Sequence, residues 1–230
     1  FCTQIQYIEN SRTLKDSLSD QDFVRNELTN VLYQIYTPLS YMHQEMTHYD
    51  LHFENVLVLK PYADMYFEYI YHFTPTDIIT FNSQYIAKII DYGNAHFNNM
   101  DGFNTSSLVQ VLKQKTTKQK LTKSGYGNIA YSTQITPQES NFSADLRLLA
   151  IIKRSYKSGP LVPLLKDVVF KGPYSTPRND KTDGKINNIL QAKERLEAEI
   201  KEENFLHTLK NNGLETRFTK VGTIHVYMDN

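Results

Sequence analysis

Two short stretches of this chain gather residue types that do chemistry. One is His48-Tyr49-Asp50-Leu51-His52-Phe53-Glu54-Asn55; the other, thirty-six residues after Asn55, is Asp91-Tyr92-Gly93. Carboxylates take up or orient protons. Imidazoles and carboxylates are also ordinary ligands of transition metals. His48, Asp50 and His52 alternate, so on a strand they would share one face, an arrangement that suits zinc or iron.

Such groups work only if regular elements hold them. Asp22–Met46 reads as a helix: after Phe23, the residues Leu28, Val31, Leu32, Ile35, Leu39 and Met42 recur at steps that build one apolar face, and Pro38 predicts a kink. Asn55–Leu59 and Tyr85–Asp91 read as apolar strands, one after the first stretch and one leading into the second. Met65–Phe73 is an alternating, aromatic-rich strand, and the run from Tyr62 to Phe73 packs on one side with its hydroxyls at the rim. Upstream, Phe1–Ile8 alternates as a half-buried strand, Glu9–Ser11 is a polar break, and Leu14–Leu18 makes one or two helical turns. The segment 94–140 has weak periodicity and reads as a long loop with one helix near Thr105–Lys115. Ala144–Lys153 and Leu161–Phe170 are compact apolar helices, followed by a polar linker, Pro173–Gly184. Lys185–Lys210 is a charge-laced amphipathic helix stopped by Asn211-Asn212-Gly213, and Val221–Tyr227 is a terminal strand. The order predicts an α+β chain, mainly helical.

Composition narrows the function classes. The 230 residues are 40% hydrophobic, 22% charged and 12% aromatic, enough apolar surface for a sizeable core. Lys and Arg number 25 against 25 Asp and Glu, which argues against a nucleic-acid binder driven by bulk charge. The single cysteine, Cys2, excludes a disulfide framework and a Cys-rich zinc site. No apolar run approaches the roughly 18–20 residues of a membrane span, so no membrane partner is expected and the location implied is cytoplasmic. The start at Phe1, inside an apolar stretch, reads as a truncated reading frame.

The step of five from Asp50 to Asn55, the long helix before and the strand into Asp91-Tyr92-Gly93 resemble the catalytic and metal-binding loops of the protein-kinase-like superfamily, whose pattern is H-R-D-L-x-x-x-N followed by D-F-G. The resemblance implies transfer of the γ-phosphate of Mg·ATP to a hydroxyl, with Asp50 as base or orienting carboxylate. It implies magnesium held by the amide oxygen of Asn55 and the carboxylate of Asp91, hard donors that the ion shares with phosphates. Gly93 would permit the turn, and His48 would be a buried packing residue. Ile5-Gln6-Tyr7-Ile8-Glu9-Asn10 looks like a kinase hinge, so that backbone groups of Gln6 and Ile8 would bond adenine and Leu57 would floor its pocket. Thr136-Pro137-Gln138-Glu139 looks like the A-P-E closing an activation segment, and Asp145 would accept hydrogen bonds from the catalytic-loop backbone. The organisation implied is a hinge strand and hinge over 1–12, a kinase-like carboxy-terminal lobe over 13–172 with an insertion at 60–84 and an activation segment at 91–139, and a helical extension with a terminal strand over 173–230.

The sequence departs from the pattern in several places. Tyr49 replaces the Arg of H-R-D, so control through an activation-loop phosphate is in doubt, and Tyr92 replaces Phe. His52 stands where serine/threonine kinases carry Lys; a neutral imidazole does less to offset phosphate charge, and Asp-Leu-His is closer to aminoglycoside- and choline-type kinases. The Tyr-rich insertion and Lys-Ile-Ile-Asp-Tyr-Gly are similar to giant-virus kinase-like proteins as a class. The amino-terminal lobe, with its Gly-rich loop, strand Lys and partner Glu, is absent from the sequence, so negligible turnover is expected of these residues alone. A protein Ser/Thr substrate is favoured by the A-P-E-like closure. The alternatives are a small-molecule kinase and a pseudokinase acting as an interaction module. Lys113–Lys123, five lysines without an acid, reads as a solvated loop, and Lys185–Lys210 as a solvated helix face with intrahelical pairs.

Overall fold

The computed structural model describes residues 8–92, 95–98, 140–171, 178, 184–202 and 218–228. These divide into two compact units: one drawn from 1–35, 54–90 and 197–230, the other from 36–53 and 91–196.

In the first unit, polar side chains decide where helices begin. The Thr13 hydroxyl ends β1 (Ser11–Thr13) and accepts from the Asp16 amide at the start of α1 (Leu14–Ser17). The Asp20 carboxylate accepts from the amides of Asp22 and Phe23 and starts α2 (Gln21–Asn26). The helix expected over 22–46 is therefore two helices, α2 and α3 (Leu28–Tyr41), and Pro38 lies inside the second. The break falls at Glu27, φ −125°, whose carboxylate is drawn into the interior. There it accepts from the Ser83 hydroxyl at 2.7 Å and the Gln84 amide at 3.1 Å. Gln34 of α3 is buried too: it donates to the Tyr85 carbonyl at 3.1 Å and accepts from the Ala87 amide at 2.9 Å, satisfying backbone groups that would otherwise be stranded.

Two sheets belong to this unit. β3 (Val56–Leu59) lies between β1 and β6 (Ile86–Ile89), antiparallel to both. β4 (Met65–His72) pairs antiparallel with β5 (Ile78–Ser83) through a tight turn in which the Asp77 amide donates to the Thr74 hydroxyl at 2.9 Å. β8 (Thr219–Tyr227) then joins the far side of β4 in parallel. Alternation assigns the faces. Tyr69, Tyr71 and Phe73 of β4 are buried, and the Tyr69 and Tyr71 rings stack on Phe81 of β5 at 5.0 and 5.8 Å. Tyr33 of α3 meets Tyr71 and Phe81 edge-on at 5.4 and 5.6 Å, which ties the sheet to the helix.

In the second unit, β2 (Met46–Thr47) pairs antiparallel with β7 (His96–Phe97). A 3-10 turn at Ala144–Leu146 runs into α4 (Arg147–Ser155), followed by α5 (Val162–Asp167) and α6 (Ile189–Glu202), whose last residues fall in the first unit. The helix expected over 161–170 is shorter because Val168 turns extended (ψ 124°) and bridges to Ile186. Lys153 of α4 donates to the carbonyls of Lys166 and Val168 at 3.0 and 2.9 Å, satisfying the end of α5. Among the described residues no helix is long and apolar enough to cross a membrane.

The expectation of a mainly helical, kinase-like carboxy-terminal lobe is corrected by this architecture. Among the described residues the chain is mixed, with three small sheets beside its helices. The insertion read as one aromatic strand is a hairpin, and the distant 219–227 segment completes it as a sheet with its own aromatic core. The expected strand over 1–8 and the 94–140 loop with its helix fall almost wholly outside the described residues.

Burial pushes the Glu27 carboxyl up to about 7, against its bonds from Ser83, Gln84 and Asn30. Folding therefore favours the protonated form: its contribution is full below about 4.5 and is lost as pH rises through about 7, an effect of about 3 kcal/mol. Glu27→Gln should remove this dependence. A Gln carbonyl can accept from Gln84, while its amide faces Ser83, whose hydroxyl has the Tyr85 carbonyl at 3.2 Å as another acceptor. Urea unfolding at pH 4.5 and 8 should show wild type losing stability relative to the variant on going to the higher pH; equal slopes would refute the assignment.

Candidate functional site

The first chemical stretch follows directly from β2, and the second lies just before β7. Their pairing, Met46 with Phe97 and Thr47 with His96, brings the two stretches to one end of the same two-stranded ribbon. The rings of His48 and Tyr92 meet there at 5.2 Å. His48 is fully buried, whereas Asp91 and Tyr92 are exposed.

Residues 48–53 form a loop, and its shape is set from the 3-10 turn. The two carboxylate oxygens of Asp145 accept from the backbone amides of His48, at 2.8 Å, and Tyr49, at 2.9 Å. Asp145 is itself buried, and Tyr36 of α3 donates to its carbonyl at 2.9 Å. Burial pushes the Asp145 carboxyl up, opposed by the charge of His48, the two amide bonds and Arg147. Burial and the neighbouring Asp145 push the Tyr36 phenol well up, so it remains a donor. The turn has its own support: the Asn141 side chain accepts from the Ser143 amide at 3.1 Å, and the Asn141 amide donates to the Thr47 hydroxyl at 2.6 Å.

Two residues of this region hold left-handed backbone without being glycine: Tyr49, φ 61°, and Asp91, φ 61°. Such conformations cost free energy and persist only where surrounding contacts enforce them. For Tyr49 the contact is the Asp145 carboxylate on its own amide.

Asp50 extends from this fixed loop and is 3% exposed. Arg147, the first residue of α4, donates through Nη1 to Asp50 Oδ1. His52 Nε2 lies 3.8 Å from the same oxygen. One turn of chain, 145–147, thus holds the backbone ahead of Asp50 and the carboxylate of Asp50 itself. The chemical capacity is that of an oriented, charge-balanced carboxylate beside an imidazole.

The remaining residues singled out in the sequence lie elsewhere. Asn55 and Leu57 belong to the first unit. Asn55 is buried, and its carbonyl accepts from the Ile90 amide at 3.0 Å; Leu57 is half-buried on β3, opposite in face to the buried Val56 and Val58. Ile8 is half-buried in the first unit, and its carbonyl accepts from the Ser11 hydroxyl at 2.7 Å. Gln6, Gly93, the 113–123 lysines and Thr136–Glu139 lie outside the described residues. His48, Asp50 and His52 sit in a loop rather than a strand, so alternation does not align them for zinc or iron. No group of three or more His, Cys, Asp or Glu side chains placed to hold a metal occurs among the described residues. Arg147 was missed by the sequence reading. Its signal was a cation two residues after Asp145, at the head of an otherwise apolar run.

No family model, no curated protein and no solved structure matches the chain.

Asp145→Ala should strip two buried amides of their acceptor, at a cost of about 3 kcal/mol. Denaturant unfolding measures the loss, and a cost below about 1 kcal/mol would show that the loop holds its shape without this carboxylate.

Proposed function

We propose that the chain serves Mg·ATP-dependent phosphoryl transfer to a hydroxyl, with a protein Ser or Thr as acceptor. The observation that carries this reading is the arrangement around Asp50: a buried carboxylate in a loop pinned by Asp145, contacted by Arg147 and flanked by His52. Phosphoryl transfer asks little covalent work of a protein; it needs reacting groups positioned and charge offset. In this reading Asp50 accepts the proton of the attacking hydroxyl, and Arg147 keeps that carboxylate in one orientation. Asp145 enforces the backbone that aims it. His52 borders the reacting side.

Magnesium with ATP, when bound, supplies the charge that offsets the phosphate oxygens. Asp91 suits that ion: an exposed carboxylate, a hard donor, in left-handed backbone one residue from the Tyr92 ring that meets His48. The requirement is modest, because magnesium takes one or two protein carboxylates and fills the rest with phosphate and water. Asn55, Leu57, Gln6 and Ile8 enter the proposal through the sequence resemblance alone.

Thermal unfolding of the whole chain tests the reading. Mg·ATP at a hundred times its dissociation constant should add about 2.7 kcal/mol of stability. Asp91→Ala should lose the magnesium-dependent part, while Asp50→Asn keeps it. Absence of magnesium-dependent stabilisation by millimolar ATP would overturn the proposal and favour an interaction module.

A further inference from the structure

The outer face of the β5–β4–β8 sheet carries a pair of imidazoles that the site above does not use. The parallel register sets Glu68 beside Thr223, Ile70 beside His225 and His72 beside Tyr227. The alternate residues of both strands turn away from the aromatic core. On this face His72 Nε2 lies 2.9 Å from His225 Nδ1, with the two rings 16° from parallel. The Tyr227 ring stacks on His72 at 4.6 Å and 10°, and lies 6.2 Å from His225. We propose that His72 and His225 form a two-imidazole site for a divalent first-row transition ion, copper(II) binding most strongly and zinc(II) less so.

The argument is geometric first. An ion that holds two neighbouring nitrogens at about 2.0–2.1 Å places them about 2.9–3.4 Å apart, depending on whether the angle is square or tetrahedral. The observed separation lies within that span, so the ligand atoms are in place and only the rings need turn. The two histidines stand on hydrogen-bonded neighbouring strands, which fixes their roots, and Tyr227 braces one ring from behind. The pair shares a hydrogen bond, and an entering ion takes the place of the shared proton, which the donor ring then carries on its other nitrogen.

Glu68 projects on the same face, and Lys220 foremost holds its carboxyl below the usual range, with Thr223 and the charge of His225 adding to the effect. Glu68 accepts from Lys220 at 2.7 Å and from the Thr223 hydroxyl at 3.1 Å, so this carboxylate is already engaged by its own partners and is not a third ligand. Two nitrogen donors with solvent in the remaining positions follow the general order that ranks copper above zinc.

Titration of the whole chain with copper(II), followed by calorimetry and electron paramagnetic resonance, decides the matter. One equivalent should bind with coupling to two imidazole nitrogens. His72→Ala and His225→Ala should each weaken binding at least tenfold, and the double variant should be no weaker than the worse single one, since chelation needs both rings. His43→Ala, a ring that bonds to the Ser40 carbonyl, should change nothing. Should an alanine variant fail to fold, His225→Asn or His72→Asn repeats the test with a polar side chain. The site is refuted if either single variant binds copper within twofold of wild type, or if the two-nitrogen spectrum survives in it; the pair is then a hydrogen bond between imidazoles and nothing more.

Discussion

A single carboxylate organises the second unit. Asp145 gives one oxygen to the His48 amide and the other to the Tyr49 amide, and everything chemically interesting nearby depends on that bidentate hold. A buried carboxylate without donors would be expelled or protonated, and buried amides without acceptors would be costly. Each need is met by the other. The arrangement also explains why Tyr49, a residue with a large side chain, can occupy left-handed backbone, and why Asp50 leaves the loop toward Arg147.

The same economy recurs in the first unit with a different carboxylate. Glu27 accepts from Ser83 and Gln84, and so fastens the helical segment to the turn between β5 and β6. Where Asp145 lies beside Arg147 and His48, Glu27 has hydroxyl and amide partners and only the distant charge of Lys60. Burial pushes the Glu27 carboxyl up to about 7 while it serves a structural end. It also interrupts a helix whose apolar repeat runs on without a break.

The elements with strong local patterning were legible in the sequence. The apolar repeat of Leu28, Val31, Leu32, Ile35 and Leu39 specified α3, and the aromatic alternation specified β4. What the sequence hid was long-range pairing. Ile78–Ser83 alternates weakly and follows a polar turn, so nothing local marked it as the partner of β4. β1, β2 and β7 are three and two residues long, too short for any period to register. The mainly helical expectation came from this blindness: β3, β4, β6 and β8 lie in segments that read as strands, but the partners that complete their sheets, β1, β2, β5 and β7, do not. At the site, Asp50 and Asp91 stood out by their residue types and spacing, and Asp145 through the family resemblance. Arg147 did not, because a cation at the head of an apolar run does not by itself name a partner as distant in sequence as Asp50.

The parallel union of β4 and β8 has a consequence for how the molecule comes into being. Met65 pairs with Thr219 and His72 with Tyr227, partners more than a hundred and fifty residues apart. Closing so large a loop carries an entropic penalty before any contact rewards it, and topologies of this kind reach their native state slowly. On the ribosome, the β4–β5 hairpin emerges long before its third strand exists. Until β8 is synthesised, the backbone groups along one side of β4 have no strand to pair with, so the nascent hairpin presents an open edge of the sort chaperones shield.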